Sequence, residues 1–177
     1  MYEESIELLD SLIQCLRPLL NLIDSSPEKE FQDYRNRIDL ALISCLSAKK
    51  FLQEKAPQED SIFARNRIRL HLEKQREIHA ILLSHGETIE HINTLFFQAF
   101  SLFMQYSLSK GEIQRQKQRL LTIKDSQIKK LISIGISSYT NEMDGYKDES
   151  FLFLDAALGE FFSMQQRFVS VVRLFAS

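Results

Sequence analysis

The sequence predicts an all-α protein, a bundle of five to six long and mostly antiparallel helices. Only five Gly and three Pro occur among 177 residues, so few positions favour tight turns. Hydrophobic residues make up 44% and charged residues 26%, a composition typical of a globular chain rather than a disordered one. Along most of the chain the apolar residues recur every three or four positions, as in an amphipathic helix. We expect a single helical-bundle domain over residues 1–177.

The most apolar segment, residues 92–109, carries no charge and predicts a central helix over about 87–109. A helix that is apolar around most of its circumference belongs inside a bundle. The segment is long enough to span a membrane, but Asn93, Gln98 and Gln105 are distributed along it, which favours a buried helix instead. No transmembrane segment is therefore expected. The main apolar face comprises Ile92, Phe96, Ala99, Phe100 and Phe103.

The first two helices are predicted over residues 3–24 and about 28–55. A leucine-rich face defines the first, and Pro18 is expected to kink or split it near Gln14, because proline cannot donate the helical hydrogen bond to that carbonyl. Ser26 followed by Pro27 is typical of a helix start.

A third helix is predicted over about residues 59–84, with a narrow apolar stripe. His85 and Gly86 indicate its end, and Ser84 with Glu87 fits a capping box at the start of the central helix. The apolar period nevertheless continues across Gly86, so one uninterrupted helix remains the alternative.

The remaining chain predicts a fifth helix over about 112–139 and a last one over about 150–176. Lys110 and Gly111 are expected to end the central helix, and residues 141–145 are the clearest predicted loop. Residues 132–137 alternate with period two and also fit a short strand, although a lone strand is poorly suited to a helical domain.

An internal similarity links residues 35–42 with residues 65–72, thirty positions later. Both copies read Arg-Asn-Arg-Ile-x-Leu-x-Leu and follow a proline at the same distance. Three interpretations are open: coincidence, duplication of one helix with its connector, or a paired anion site. The last is weakened because residues two apart on a helix point about 200° from each other. Its residues would be Arg35, Arg37, Arg65 and Arg67.

Catalytic signatures are missing from the sequence. It contains no glycine-rich phosphate loop, Gly-x-Ser-x-Gly elbow, His-Glu-x-x-His, Cys-x-x-Cys or Glu-x-x-His motif. We therefore expect no cofactor and no catalytic residues. A metal-dependent bundle enzyme is kept as the third hypothesis, although the spacing of the histidines does not align them on one helical face. Its residues would be His79, His85, Glu87 and His91.

One segment concentrates positive charge, although the net charge of the chain is only −2. Between residues 113 and 130 the only acid is Asp125. Such a helix suits phosphates or anionic lipid, so a polyanion- or membrane-surface-binding protein is the second hypothesis. No aromatic residue interleaves with the charges, so nucleic acid is not an expected partner. An acidic stretch, 142–160, follows, and the two segments are expected to neutralise each other or to be solvated. The basic candidates are Arg115, Lys117, Arg119, Lys124 and Lys130.

The leading hypothesis is a non-enzymatic interaction protein, adaptor or chaperone-like, that binds a partner protein or itself through apolar helix surface. Thirteen Phe are abundant for a chain of this length, and the last helix carries a broad apolar face. Without a paired-cysteine motif or a signal peptide, Cys15 and Cys45 are expected to be buried thiols in a cytoplasmic protein. The partner-binding candidates are Phe161, Phe168, Val172 and Phe175.

Overall fold

A computed structural model describes residues 1–56, 58 and 61–173, with side chains described as far as residue 167. Within these residues it contains five helices and no strand, which confirms the predicted all-α bundle. The relative directions of the helices and the single-domain organisation stay predictions. The helices are α1 (Glu3–Asp24), α2 (Lys29–Gln53), α3 (Ile62–Ser84), α4 (Gly86–Thr122) and α5 (Ser126–Arg173).

Contacts between residues divide the chain into two compact units. Unit 1 comprises Met1–Phe96 and Ala156–Ser177, and unit 2 comprises Phe97–Asp155. Unit 1 therefore holds α1, α2 and α3 with the first part of α4 and the last part of α5. Unit 2 holds the remainder of α4 and α5, joined by residues 123–125.

The packing of α1 against α2 forms much of the core of unit 1. Buried residues of α1 recur every three or four positions, and those of α2 include large side chains seven residues apart. Between these lie Ala41 and Ala48, both fully buried, which allow close approach of a neighbouring helix. The fully buried core positions of α1 are Leu9, Leu12, Leu16, Leu19 and Ile23, and those of α2 include Phe31, Ile38 and Cys45.

Of the two effects predicted for Pro18, the split of the first helix is wrong, because α1 is continuous from Glu3 to Asp24, and the kink stays a prediction. Pro18 and Gln14 both lie on the exposed side of α1. The carbonyl of Gln14, which loses its helical donor to the proline ring, therefore faces water, and the helix continues without a buried unsatisfied group.

The predicted break between the third and central helices is confirmed at His85, and α4 begins at Gly86. The predicted capping box is not formed. The Ser84 hydroxyl donates instead to the carbonyl of Ile81 at 2.8 Å, within its own helix. At the other end of α3, Ser61 caps the helix by accepting a hydrogen bond from the backbone N–H of Ala64 at 3.1 Å.

Two predicted helix ends in the second half of the chain are wrong. Lys110 and Gly111 lie inside α4, and the predicted loop 141–145 lies inside α5, which joins the fifth and last predicted helices into one of 48 residues. No glycine has a positive φ, so each stays in the ordinary helical region. Glycine inside a helix costs about 1 kcal/mol relative to alanine, which the intact hydrogen-bond ladders on both sides readily exceed.

The connection between α4 and α5 is residues 123–125, a position that the sequence analysis did not identify. The Asp125 carboxylate accepts hydrogen bonds from the backbone N–H groups of Gln127 at 2.8 Å and Ile128 at 3.3 Å. An acidic side chain in this position satisfies two donors at the helix start and complements its dipole. The only acid of the basic segment is thus committed to capping α5.

Candidate interaction surface

The segment from residue 114 to residue 149, in unit 2, contains no buried residue. It nevertheless carries large aliphatic side chains, and Leu121, Leu131 and Ile134 are 87%, 69% and 66% exposed. Single exposed leucines are ordinary, but several along one segment mark a candidate surface for association.

Exposed residues of α5 in unit 2 follow one helical face, which we call the outer face of α5. Its positions alternate by three and four residues, the spacing of a coiled-coil seam, and every one of them is exposed. Large aliphatics stand at Leu131, Ile134 and Leu152, with small or polar side chains between them. The outer face of α5 consists of Leu131, Ile134, Ser138, Asn141, Gly145, Asp148 and Leu152.

The helical geometry of α5 explains the period-two pattern of residues 132–137, which also fitted a short strand. Residues two apart on a helix point to nearly opposite sides. Ile132 and Ile136, four apart, are half-buried on the inner side of α5, whereas Ile134 between them is 66% exposed on the outer face. The alternation therefore supplies apolar residues to both sides of one helix.

A second apolar stripe lies on α4 within unit 2. Phe97, Met104 and Leu108 are 66%, 40% and 63% exposed and share one helical face, being seven and four residues apart. Further along the same face stands Arg115, whose side chain is 74% exposed and pairs with Glu112 at 2.5 Å. This face thus changes from apolar to charged along the helix.

The predicted basic residues all lie in unit 2, around the connection between α4 and α5. Arg119 donates to the side-chain oxygen of Gln116 at 3.4 Å, a contact within α4. The side chains of Lys117, Lys124 and Lys130 are exposed and form no hydrogen bond or ion pair with other described residues. Lys129, which the sequence analysis omitted, shares this environment.

Four acidic residues of the following stretch are also exposed, without a hydrogen bond or ion pair to other described residues. The basic and acidic segments were expected either to neutralise each other or to be solvated. These four acidic side chains form no ion pair with the basic segment and are solvated. Unit 2 therefore presents unpaired positive charge near the start of α5 and unpaired negative charge further along it. The acids are Glu142, Asp144, Asp148 and Glu149.

Of the predicted partner-binding residues, only Phe161 has a described side chain. It is fully buried in unit 1, and its ring lies edge-on to that of Phe162 with centroids 5.5 Å apart. The side chains of Phe168 and Val172, and the whole of Phe175, lie outside the described residues. The role of these four residues in partner binding stays a prediction, and Phe161 serves as a core residue of unit 1.

The histidines of the metal hypothesis lie in unit 1 with separate partners. His79 shares a hydrogen bond with the Ser5 hydroxyl, His85 contacts the carbonyl of Ile81 at 2.7 Å, and His91 lies 3.3 Å from the carboxylate of Glu160. Glu87 is exposed on α4. Within the described part of the chain, no three His, Cys, Asp or Glu side chains converge as a metal site requires.

The arginines of the internal similarity do not share a described contact. Arg35 forms an ion pair with Asp24, and the guanidinium of Arg37 lies 5.7 Å from the centroid of the Tyr34 ring. Arg65 and Arg67 are exposed on α3. The two leucines at matching positions, Leu40 and Leu70, are both substantially exposed, whereas Ile38 is fully buried and the matching Ile68 is only half-buried.

Both cysteines are free thiols in unit 1, and Cys45 is buried as predicted, whereas Cys15 is only half-buried. Burial raises the pKa of each, because a thiolate is poorly solvated away from water, and it raises the pKa of Cys45 to about 12. Neither thiol is therefore activated as a nucleophile.

No helix of the described residues combines the length and hydropathy needed to cross a membrane. Comparison with protein-family models, curated proteins and solved structures finds no significant match.

Proposed function

We propose that this chain is a non-enzymatic interaction protein of the cytoplasm, adaptor or chaperone-like, that binds a partner protein or a second copy of itself through apolar helix surface. The observation that carries the proposal is the outer face of α5, where Leu131 and Ile134 are 69% and 66% exposed one helical turn apart. Burying such a side chain completely in an interface contributes about 1.5–3 kcal/mol to the free energy of association. Two or three of them support a reversible complex after the entropy lost on association is subtracted.

The test compares matched pairs of substitutions in the full chain. Leu131→Ser with Ile134→Ser removes the aliphatic pair from the outer face of α5. Leu40→Ser with Ile43→Ser is the control, because these residues have the same types and spacing on α2 of unit 1 and are 58% and 51% exposed. We expect proteins that cross-link to the wild-type chain in its native source to be lost with the α5 pair and retained with the α2 pair.

Circular dichroism should show that both variants remain helical, since all four side chains are largely exposed. A set of cross-linked proteins that is the same for wild type and the α5 variant would contradict the proposal, as would loss caused equally by the α2 variant.

A second candidate function is binding to a polyanion or an anionic membrane surface through Arg115, Lys117, Arg119, Lys124 and Lys130. The exposed, unpaired state of Lys117, Lys124 and Lys130 favours it. Such binding should appear as retention on heparin or on phosphatidylserine vesicles, falling steeply as salt rises because counterions are released. Absent or salt-independent retention contradicts this candidate.

A further inference from the structure

We propose that the outer face of α5 pairs with the same face of a second copy of this chain, in antiparallel orientation. This inference rests on the proposed function and names its partner. Antiparallel helices commonly pair through a seam with alternating spacings of three and four residues, and the outer face of α5 has this spacing from Leu131 to Leu152.

The distribution of charge along α5 selects the orientation. Lys124 lies in the connection just before α5 and Lys130 lies near the start of the helix, whereas Asp144 and Asp148 lie more than three turns further along. A parallel pair would place each lysine beside the same lysine of the other chain, and each aspartate beside the same aspartate. An antiparallel pair places the basic end of each copy beside the acidic stretch of the other, and like charges are separated.

One register satisfies both the seam and the charges. With a two-fold axis on the outer face at the level of Ile136, whose own side chain lies on the inner side, Ile134 of one copy meets Ser138 of the other, and Leu131 meets Asn141. The same register brings Lys130 of one copy beside Asp144 of the other, on the flank of the seam, and it brings the connection that holds Lys124 near Asp148. All of these residues except the axial Ile136 are exposed, and none of the four charged ones has a described partner within its own chain.

The side chains on the seam also set the strength of the association. Ser138 and Gly145 are small, so the two helices can approach closely. Only Leu131 and Ile134 of each copy supply large aliphatic surface near the axis, and the charged pairs lie in water, where each contributes little. The pairing is therefore weak and reversible.

Charge exchange tests the pairing in the full chain, with sedimentation velocity as the readout. Lys124→Glu with Lys130→Glu gives one variant, and Asp144→Lys with Asp148→Lys gives the other. Each variant alone has like charges at all four charged contacts of the dimer, and because these small effects add, it should dimerise about ten-fold or more weakly than the wild type. Mixed in equal amounts, the two variants regain opposite charges at both contacts, so dimers should reappear.

A control keeps the net charge of the first variant while leaving the seam intact. Lys117→Glu with Lys129→Glu changes two exposed lysines that lie on α4 and on the opposite side of α5. The dissociation constant of this variant's dimer should lie within about two-fold of the wild-type value, because the seam is unchanged. Leu131→Ser with Ile134→Ser should abolish the dimer.

Three results would overturn the inference: a wild type that is monomeric throughout, a mixture that does not regain dimers, or a control variant that loses the dimer to the same extent as the seam variant. Equal loss of heparin retention by both lysine variants, without any dimer, would assign these charges to a polyanion instead. A monomeric wild type whose cross-linked partners still depend on Leu131 and Ile134 would overturn self-pairing and leave the proposed function standing. Loss of both the dimer and that dependence would overturn both.

Discussion

At the scale of single residues, the side chain of Gln75 shows how unit 1 satisfies a helix end. Its amide nitrogen donates to the carbonyls of Phe51 and Glu54, both at 2.9 Å, at the end of α2, where the Phe51 carbonyl has only a second, longer bond of 3.3 Å from the backbone N–H of Glu54. Gln75 is only 3% exposed, so water cannot replace the amide. This residue is polar because the backbone beside it requires a donor.

Gln75→Leu should lower the free energy of unfolding by about 1–3 kcal/mol, because it leaves two carbonyls at the end of α2 without this donor. Chemical denaturation followed by circular dichroism measures the change. Gln116→Leu serves as the control and should change stability by less than about 0.5 kcal/mol, because the Gln116 amide, half-buried on α4, contacts only side chains of its own helix, Glu112 at 2.8 Å and Arg119 at 3.4 Å. Equal effects of the two substitutions would contradict the role given to Gln75.

The cysteines provide a second prediction at the residue scale. Burial raises the pKa of Cys45 from 9.0 to about 12, so in the folded chain the thiol stays protonated while an unfolded one ionises. The unfolded state then binds fewer protons, and the contribution of Cys45 to stability falls as pH rises from about 9 towards 12. At mildly alkaline pH a thiol reagent should label Cys15, which is only partly buried, faster than Cys45, and denaturant should abolish the difference. Equal rates in the native protein would contradict this burial.

At the scale of helices, the agreement between prediction and structure follows the strength of local signals. The first helix was predicted over residues 3–24 and is observed as Glu3–Asp24, because its leucines recur without interruption and acids occupy its first turn. The predicted ends at Gly111 and at residues 141–145 are absent. Glycine and asparagine favour turns only modestly, and nothing beside them forces the chain to reverse. The true connection had a signal, Asp125 as a helix cap, that the glycines obscured.

Because α4 and α5 continue through their glycines, replacing these glycines with alanine should stabilise the protein. A Cβ atom built at Gly111 or Gly145 meets no atom within 4 Å, and neither residue has a positive φ. Gly111→Ala and Gly145→Ala should therefore each raise the free energy of unfolding by about 0.5–1 kcal/mol, since alanine restricts the unfolded chain and suits the helix. Thermal and chemical denaturation measure this gain. Destabilisation by either substitution would indicate a turn at that position.

The candidate surface was predicted less completely than the helices. The basic residues were identified from charge alone, but the sequence did not show that Lys124 and Lys130 lack partners, because ion pairing depends on which helices become neighbours. Leu131 and Ile134 look like core residues in any periodicity analysis, and only their exposure in the folded chain separates them from Phe161, which is buried. Exposure is a property of tertiary packing, so local patterns cannot assign it.

At the scale of the whole molecule, the two units differ in what they bury. Unit 1 contains most of the fully buried aliphatic and aromatic side chains, whereas the segment 114–149 of unit 2 contains none. Helices of this kind gain little stability from their own burial, and most helical stability in proteins comes from packing an apolar face. A surface that is helical, aliphatic and exposed is therefore expected to be covered when the protein performs its function.

Site-specific photo-cross-linking tests this central claim most directly. A photoreactive amino acid replaces Ile134 on α5, or Ile43 at the matched exposed position on α2, in chains expressed in the native source. The account predicts strong, discrete adducts from position 134, including adducts between two copies of the chain, and little from position 43. Equal adducts from both positions, or none from position 134, would contradict it.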